Sequence, residues 1–292
     1  MTPDSHRIPR KGLILLALIS IGWGMNWPIM KMVLTEVPRW TFRGLCLVIA
    51  SGGMFAIARL TGNSLKVPVG RWPQMMGLTC FNIIGWNAFA IYGLSNLPSG
   101  RAAILGYTMP IWSMALSVWL LKEAMTFRRA LGLALGMSGM AVLIFSELHA
   151  LGKAPIGVIF MLAAALCWAC GLVLFKRNPV PMPTSSFTAW QMVMGGVPML
   201  IIGMLKESVN WENLSFWPLF GMGYNVVIGF LFCYWAWNRL VQLVPVAVSS
   251  LGALIVPVVG VFSGMLFLGE QPHLFDFLAL GLVIGALATV VI

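Results

Sequence analysis

The side chains of this sequence that could do chemistry are few, and most are uncharged. Asn26, Asn82, Asn87, Tyr107, Gln191, Tyr224, Asn225, Tyr234 and Asn238 lie inside long apolar runs. Polar groups persist in such surroundings only with a partner or a role. Amides and phenols both donate and accept hydrogen bonds, and Trp23, Trp86 and Trp168 also lie in apolar runs. Together they suit a moderately polar organic molecule with an apolar or aromatic part. The predicted central binding site is Trp23, Asn26, Asn82, Trp86, Tyr107, Trp168, Tyr224 and Tyr234. The competing reading places several of the tryptophans in an interfacial aromatic belt.

Charged candidates carry the same ambiguity. Lys31 and Lys176 each fall near the end of an apolar run, placed either to meet a substrate carboxylate at a mouth of a transmembrane path or to snorkel outward, with Glu36 as a partner for Lys31. Arg43, one turn after Arg39, reads as an internal cap or partner, or as a contact for cargo. Glu123 and Glu270 each end an apolar run, where stabilisation of the fold is the plainer role. Pro110 and Pro257 lie within runs, where a proline removes a backbone hydrogen bond and can act as a hinge, although membrane helices tolerate proline without gating.

Catalytic and metal chemistry find little support. The five cysteines fall within apolar runs without a companion His or carboxylate, and His6, His149 and His273 lie in the tail or in loops. The expectation is free thiols, no metal, no cofactor and no enzyme. No phosphate-cradling loop is present in the sequence.

The elements that hold these residues follow from composition. The chain has 292 residues, 60% of them hydrophobic, with 18 Lys plus Arg and 8 Asp plus Glu. Soluble domains carry about 25% charged residues, so a soluble enzyme is excluded. Ten runs of 15 or more residues lack Asp, Glu, Lys and Arg: 12–30, 44–58, 72–100, 102–121, 130–146, 154–175, 178–205, 213–238, 240–269 and 277–292. A bilayer span takes about 20 apolar residues, and continuous runs differ from the alternating strands of a barrel. The sequence therefore predicts an all-α membrane protein of ten helices. The first run lacks a small-x-small cleavage site, so it stays as the first span.

A cytoplasmic N-terminus puts 12 of the 18 Lys and Arg on the inner side, as the positive-inside rule requires. Both termini are then cytoplasmic. The net charge of +10 reflects topology and headgroup attraction and gives no reason to expect nucleic-acid binding.

Internal offsets are the most informative signal. Trp23 and Lys31 return as Trp168 and Lys176 at an offset of 145, and Pro98, Pro110 and Glu123 return as Pro245, Pro257 and Glu270 at 147. Half the chain is 146 residues. Because each half holds an odd number of spans, the second enters the membrane from the opposite face. Two inverted five-helix repeats around a central cavity, spanning residues 12–147 and 154–292 after a tail of residues 1–11, form the predicted architecture. The pairs Gly132 and Gly136, Gly260 and Gly264, and Gly281 and Gly285 have small-xxx-small spacing, for close helix packing or for a dimer surface. The chain is a monomer or a homodimer on this reading.

The segments Gly22-Trp23-Gly24-Met25-Asn26-Trp27-Pro28, Pro110 through Leu120-Leu121-Lys122-Glu123, Ala189-Trp190-Gln191 and Pro257 through Leu268-Gly269-Glu270 resemble the drug/metabolite transporter superfamily in its ten-helix, EamA-type form. Within it the chain looks most like the YddG-type aromatic amino acid exporters. The resemblance implies an inner-membrane exporter of amino acids and related metabolites that works by alternating access, with a small-molecule substrate and the lipid bilayer as its partners. With no Asp, Glu or His well inside a span, the residues point to facilitated or weakly coupled export. The alternatives are a broader drug, nucleoside or metabolite exporter and a non-catalytic membrane assembly subunit.

Overall fold

The computed structural model describes residues 10–120, 122, 125–151, 156–237 and 246–291. Among them the chain is helical throughout, with no strand. Ten helices follow in order: α1 Arg10–Val33, α2 Arg39–Leu60, α3 Trp72–Asn96, α4 Ser99–Leu120, α5 Phe127–Leu151, α6 Ile156–Arg177, α7 Thr184–Lys206, α8 Phe216–Trp237, α9 Val246–Leu268 and α10 Leu274–Val291. Seven of them are long and apolar enough to cross a membrane over their described residues, and α5, α9 and α10 contribute shorter apolar stretches. Large apolar side chains such as Ile49, Ile159, Leu172 and Phe262 point outward, which is tenable only against lipid.

Helix pairing follows the repeat. The helix α2 packs on α7, its counterpart five helices on, and α5 packs on α10. Contact of α1 with α9 is mirrored by α6 with α4, and α3 with α6 by α8 with α1. The halves are thus interleaved, with the core between them. The α2–α7 seam is a crossing in which backbones meet: a Cβ on Gly44 would come 2.3 Å from the Leu200 backbone nitrogen, and one on Gly203 2.7 Å from that of Thr41.

Proline N-caps create a local problem that the fold solves across the seam. Both α2 and α4 begin after a proline, Pro38 and Pro98, which supplies no side-chain cap. Glu207 instead accepts hydrogen bonds from Trp40 N at 3.0 Å, Thr41 N at 2.8 Å and Thr41 Oγ1 at 2.8 Å. Glu270 accepts from Ser99 N at 2.6 Å, Ser99 Oγ at 2.8 Å and Gly100 N at 3.2 Å. Carboxylates suit helix N-termini, so second-half acids anchor first-half helices. In the same region Arg101 pairs with Asp276 of α10, 2.7 Å apart and buried.

Three expectations are revised. Glu36 does not partner Lys31; it accepts from Ser215 N at 2.8 Å, and the Ser215 hydrogen bonds hold its carboxyl below the usual value. Lys31 donates to the Leu97 carbonyl beyond the end of α3, where a cation suits free carbonyls. Pro110 is not mid-helix: α4 is interrupted by a turn at Tyr107–Thr108 and resumes at Met109, so Pro110 lies in a first turn, where its missing N–H costs little. Pro257 does lie within the continuous α9. The Lys176 side chain, Glu123 and Asn238 lie outside the described residues.

Among the small-residue pairs, Gly136, Gly260 and Gly264 serve packing within the chain. Added Cβ atoms there would meet Ile111 at 2.1 Å, Ala103 at 2.7 Å and Glu270 at 2.5 Å, whereas Gly281 faces open space.

Candidate functional site

Three backbone irregularities converge on the middle of the bundle. The α3 helix widens into a π-helical turn at Cys80–Gly85, and its repeat-mate α8 does so at Asn225–Phe232. The two segments begin 145 residues apart, matching the sequence offset. The third irregularity is the turn at Tyr107–Thr108 in α4. Such segments loosen the regular ladder and are frequent at functional sites.

Between them lies a chamber lined from α1, α2, α3, α4, α6 and α8. Six of the eight predicted residues face it: Trp23, Asn26, Trp86, Tyr107, Trp168 and Tyr234. The other two do not. Asn82 packs so closely on α6 that a Cβ on Gly171 would lie 1.8 Å from its Oδ1, and Tyr224 donates its hydroxyl to the Gly22 carbonyl at 2.9 Å. Sequence reasoning gave less weight to Asn87 and Arg43, both of which line the chamber. An arginine one turn inside the second span from Arg39 was the available signal for Arg43.

The aromatic wall is continuous. Tyr234 lies between Trp23, at 5.8 Å between ring centroids, and Trp168, at 6.2 Å; Trp168 in turn meets Trp86 at 5.2 Å. All three pairs are edge-to-face, the geometry that aromatic quadrupoles favour. Trp23 is fixed by donating from Nε1 to the Gly229 carbonyl of the α8 π segment at 3.1 Å. Other tryptophans serve the periphery: Trp190 donates to the Leu65 carbonyl at 2.8 Å near one end of the bundle, and Trp235 is exposed.

Polar atoms are set into this wall without partners among the described residues. Asn26 Oδ1, Asn87 Oδ1 and Arg43 Nε are buried and make no hydrogen bond. Such atoms are uncommon in folded proteins and call for an explanation. No Asp, Glu or His lines the chamber among the described residues.

The chamber offers about 60 Å³ to the centres of water molecules, enough for water but well under the several hundred Å³ of a small-molecule site. A small organic molecule would fit there only if the surrounding helices parted. A larger groove of about 930 Å³, measured the same way, lies at the periphery between α5 and the α9–α10 connection. Its principal polar groups are already engaged, Arg101 with Asp276 and Glu270 with the α4 N-terminus, so size alone does not make it the site.

Interleaved repeats and broken helices around a polar chamber are the architecture of many membrane transporters. The EamA-like transporter family matches residues 10–145 and again 155–292, and the chain belongs to that family. It is 27% identical to the uncharacterized transporter YoaV of Bacillus subtilis, over 94% of this chain and 93% of that protein. It is also 27% identical to a probable amino-acid metabolite efflux pump of Salmonella typhimurium, over 89% of this chain and 88% of that one. Protein PecM of Dickeya dadantii is 31% identical over 73% of this chain and 71% of its own length. One crystal structure matches with a TM-score of 0.69 at 20% identity, covering 94% of this chain and 96% of the other, a likeness of fold.

Proposed function

We propose that this transporter exports amino acids with aromatic or other hydrophobic side chains, and related metabolites, across the bacterial inner membrane by alternating access, with both termini in the cytoplasm. The observation that carries this reading is the chamber itself, where an edge-to-face aromatic wall of Trp23, Trp86, Trp168 and Tyr234 surrounds unpartnered amide oxygens of Asn26 and Asn87. Aromatic rings take up an apolar side chain, and the amides supply polar anchors. The amino-acid metabolite efflux relative supports the same cargo class. Trp23 and Trp168, one from each repeat, would grip the side chain. Pro257 and the Tyr107–Thr108 break next to Pro110 would serve as hinges, while Lys31 and Lys176 would mark the two mouths. With no Asp, Glu or His lining the chamber among the described residues, export would run down the cargo gradient without obligatory proton movement.

Purified protein in vesicles preloaded with phenylalanine tests this. Labelled phenylalanine or leucine should exchange across the membrane and be blocked by competing aromatic amino acids. Flux of nucleosides or amphipathic drugs with no amino acid flux would replace the reading with the broader exporter. Absence of flux for every compound would leave a non-transporting membrane component.

A further inference from the structure

Arg43 is the one cation among the described residues that line the chamber. It is 4% exposed, and its guanidinium lies near the rings of Phe42 and Phe230, at 5.3 and 5.5 Å from the centroids. No carboxylate meets it among the described residues. Its one hydrogen bond to the described residues runs from Nη1 to the neutral Asn225 Oδ1 at 3.1 Å, and Asn225 is itself held by donating to the Gly221 carbonyl at 2.9 Å. A buried charge without a counter-charge is expensive to keep. The repeat does not demand it, since offsets of 145 to 147 place Thr188, Ala189 and Trp190 at the corresponding positions of α7.

With Nη1 engaged, the guanidinium edge carrying Nε is left unpaired. That edge grips a carboxylate side-on through parallel hydrogen bonds. Across the same chamber, Asn26 Oδ1 and Asn87 Oδ1 are acceptors without donors, 8% and 0% exposed as residues. An unpaired cationic fork, unpaired neutral acceptors and an aromatic wall together describe the negative of a zwitterion.

We propose that Arg43 is the carboxylate anchor of the chamber, so that cargo must carry a carboxylate, with its ammonium received by Asn26 and Asn87. This rests on the chamber being the cargo site. The carboxylate supplies the counter-charge that the fold withholds, which makes Arg43 a specificity-determining residue: amines and amides of the same shape leave the buried guanidinium unneutralised and bring a second positive charge beside it.

The test uses four probes on purified full-length protein: L-phenylalanine, L-phenylalaninamide, 2-phenylethylamine and 3-phenylpropionate. Ligand-dependent thermal stabilisation and competition against vesicle flux are read for each. In the unaltered protein, phenylalanine should outcompete the amide and the amine by about a hundredfold, because a site built to pair a charged group strongly rejects analogues lacking it. Phenylpropionate should also stabilise. Arg43→Gln should bring the acid and amine within about fivefold of each other, and Arg43→Lys should retain a weakened acid preference, since Lys keeps the charge but not the fork. The ratio between probes reports specificity even where a variant is less stable overall. Equal competition by acid and amine in the unaltered protein overturns the proposal, as does an acid preference that survives in Arg43→Gln or a failure of both carboxylate probes to bind. If phenylalanine fails to cross vesicles but phenylpropionate binds in an Arg43-dependent way, the anchor stands and the amino acid cargo falls.

Discussion

Gly44→Ala is the sharpest probe of the seam between the halves. Its new Cβ would sit 2.3 Å from the Leu200 nitrogen and 2.5 Å from the Leu200 Cα, both backbone atoms. Ordinary contact begins near 3.4 Å, so α2 and α7 must separate by about 1 Å. No rotamer change relieves an overlap with backbone. Overpacking costs about 1–3 kcal/mol, and this case belongs near the top. At roughly 2 °C per kcal/mol for a chain of this length, melting in detergent should fall by about 5 °C. Gly52→Ala, on the same helix, is the control: its Cβ meets nothing within 4 Å, and loss of a helical glycine should leave melting equal or slightly higher. Thermal unfolding of both variants, followed by size-exclusion or intrinsic tryptophan fluorescence, decides the matter. If Gly44→Ala melts within about 2 °C of the unaltered protein, the close α2–α7 crossing is wrong.

Glu207→Gln removes the charge that caps α2 while keeping its shape, and should lower stability by about 1–2 kcal/mol in the same melting assay. An unchanged transition would deny the cross-seam cap. Trp168→Ala deletes the ring lying 5.2 Å from Trp86 and 6.2 Å from Tyr234. A pair between that ring and the cargo ring would be worth about 0.5–1.5 kcal/mol, so the half-saturating concentration of phenylalanine should rise by up to about tenfold; unchanged saturation would remove Trp168 from the cargo path. Because no acid or His lines the described chamber, an imposed pH gradient should alter the initial flux by less than about twofold. Proton movement in fixed ratio to cargo would show a coupling group elsewhere.

The helices were legible because charge-free runs and bilayer thickness leave few choices, and the repeat because Trp and Lys recur at an offset of 145 and Pro and Glu at 147. The boundary of α2 was less so. Its charge-free run opens at residue 44, yet the helix begins at Arg39, with a buried arginine in its second turn that the run criterion discards. Asn82 and Asn87 show a second limit. A helical wheel places Asn82 on one face with Trp86, but the π turn at Cys80–Gly85 shifts the register between them, so Trp86 and Asn87 face the chamber and Asn82 faces Gly171. Nothing in the local sequence announces that turn. Pro110 shows a third: whether a proline sits inside a helix or opens one depends on the break before it, which tertiary packing around Tyr107 decides.

Alternating exposure of the chamber is best measured by side-specific thiol labelling. The five cysteines Cys46, Cys80, Cys167, Cys170 and Cys233 are replaced, and Ala90→Cys is introduced at a chamber position that is 2% exposed. A membrane-impermeant thiol reagent is then applied to right-side-out and to inverted vesicles. Labelling from both sides, slowed by phenylalanine, is the predicted result. Labelling from one side only, or from neither, contradicts a path that opens in turn to each face.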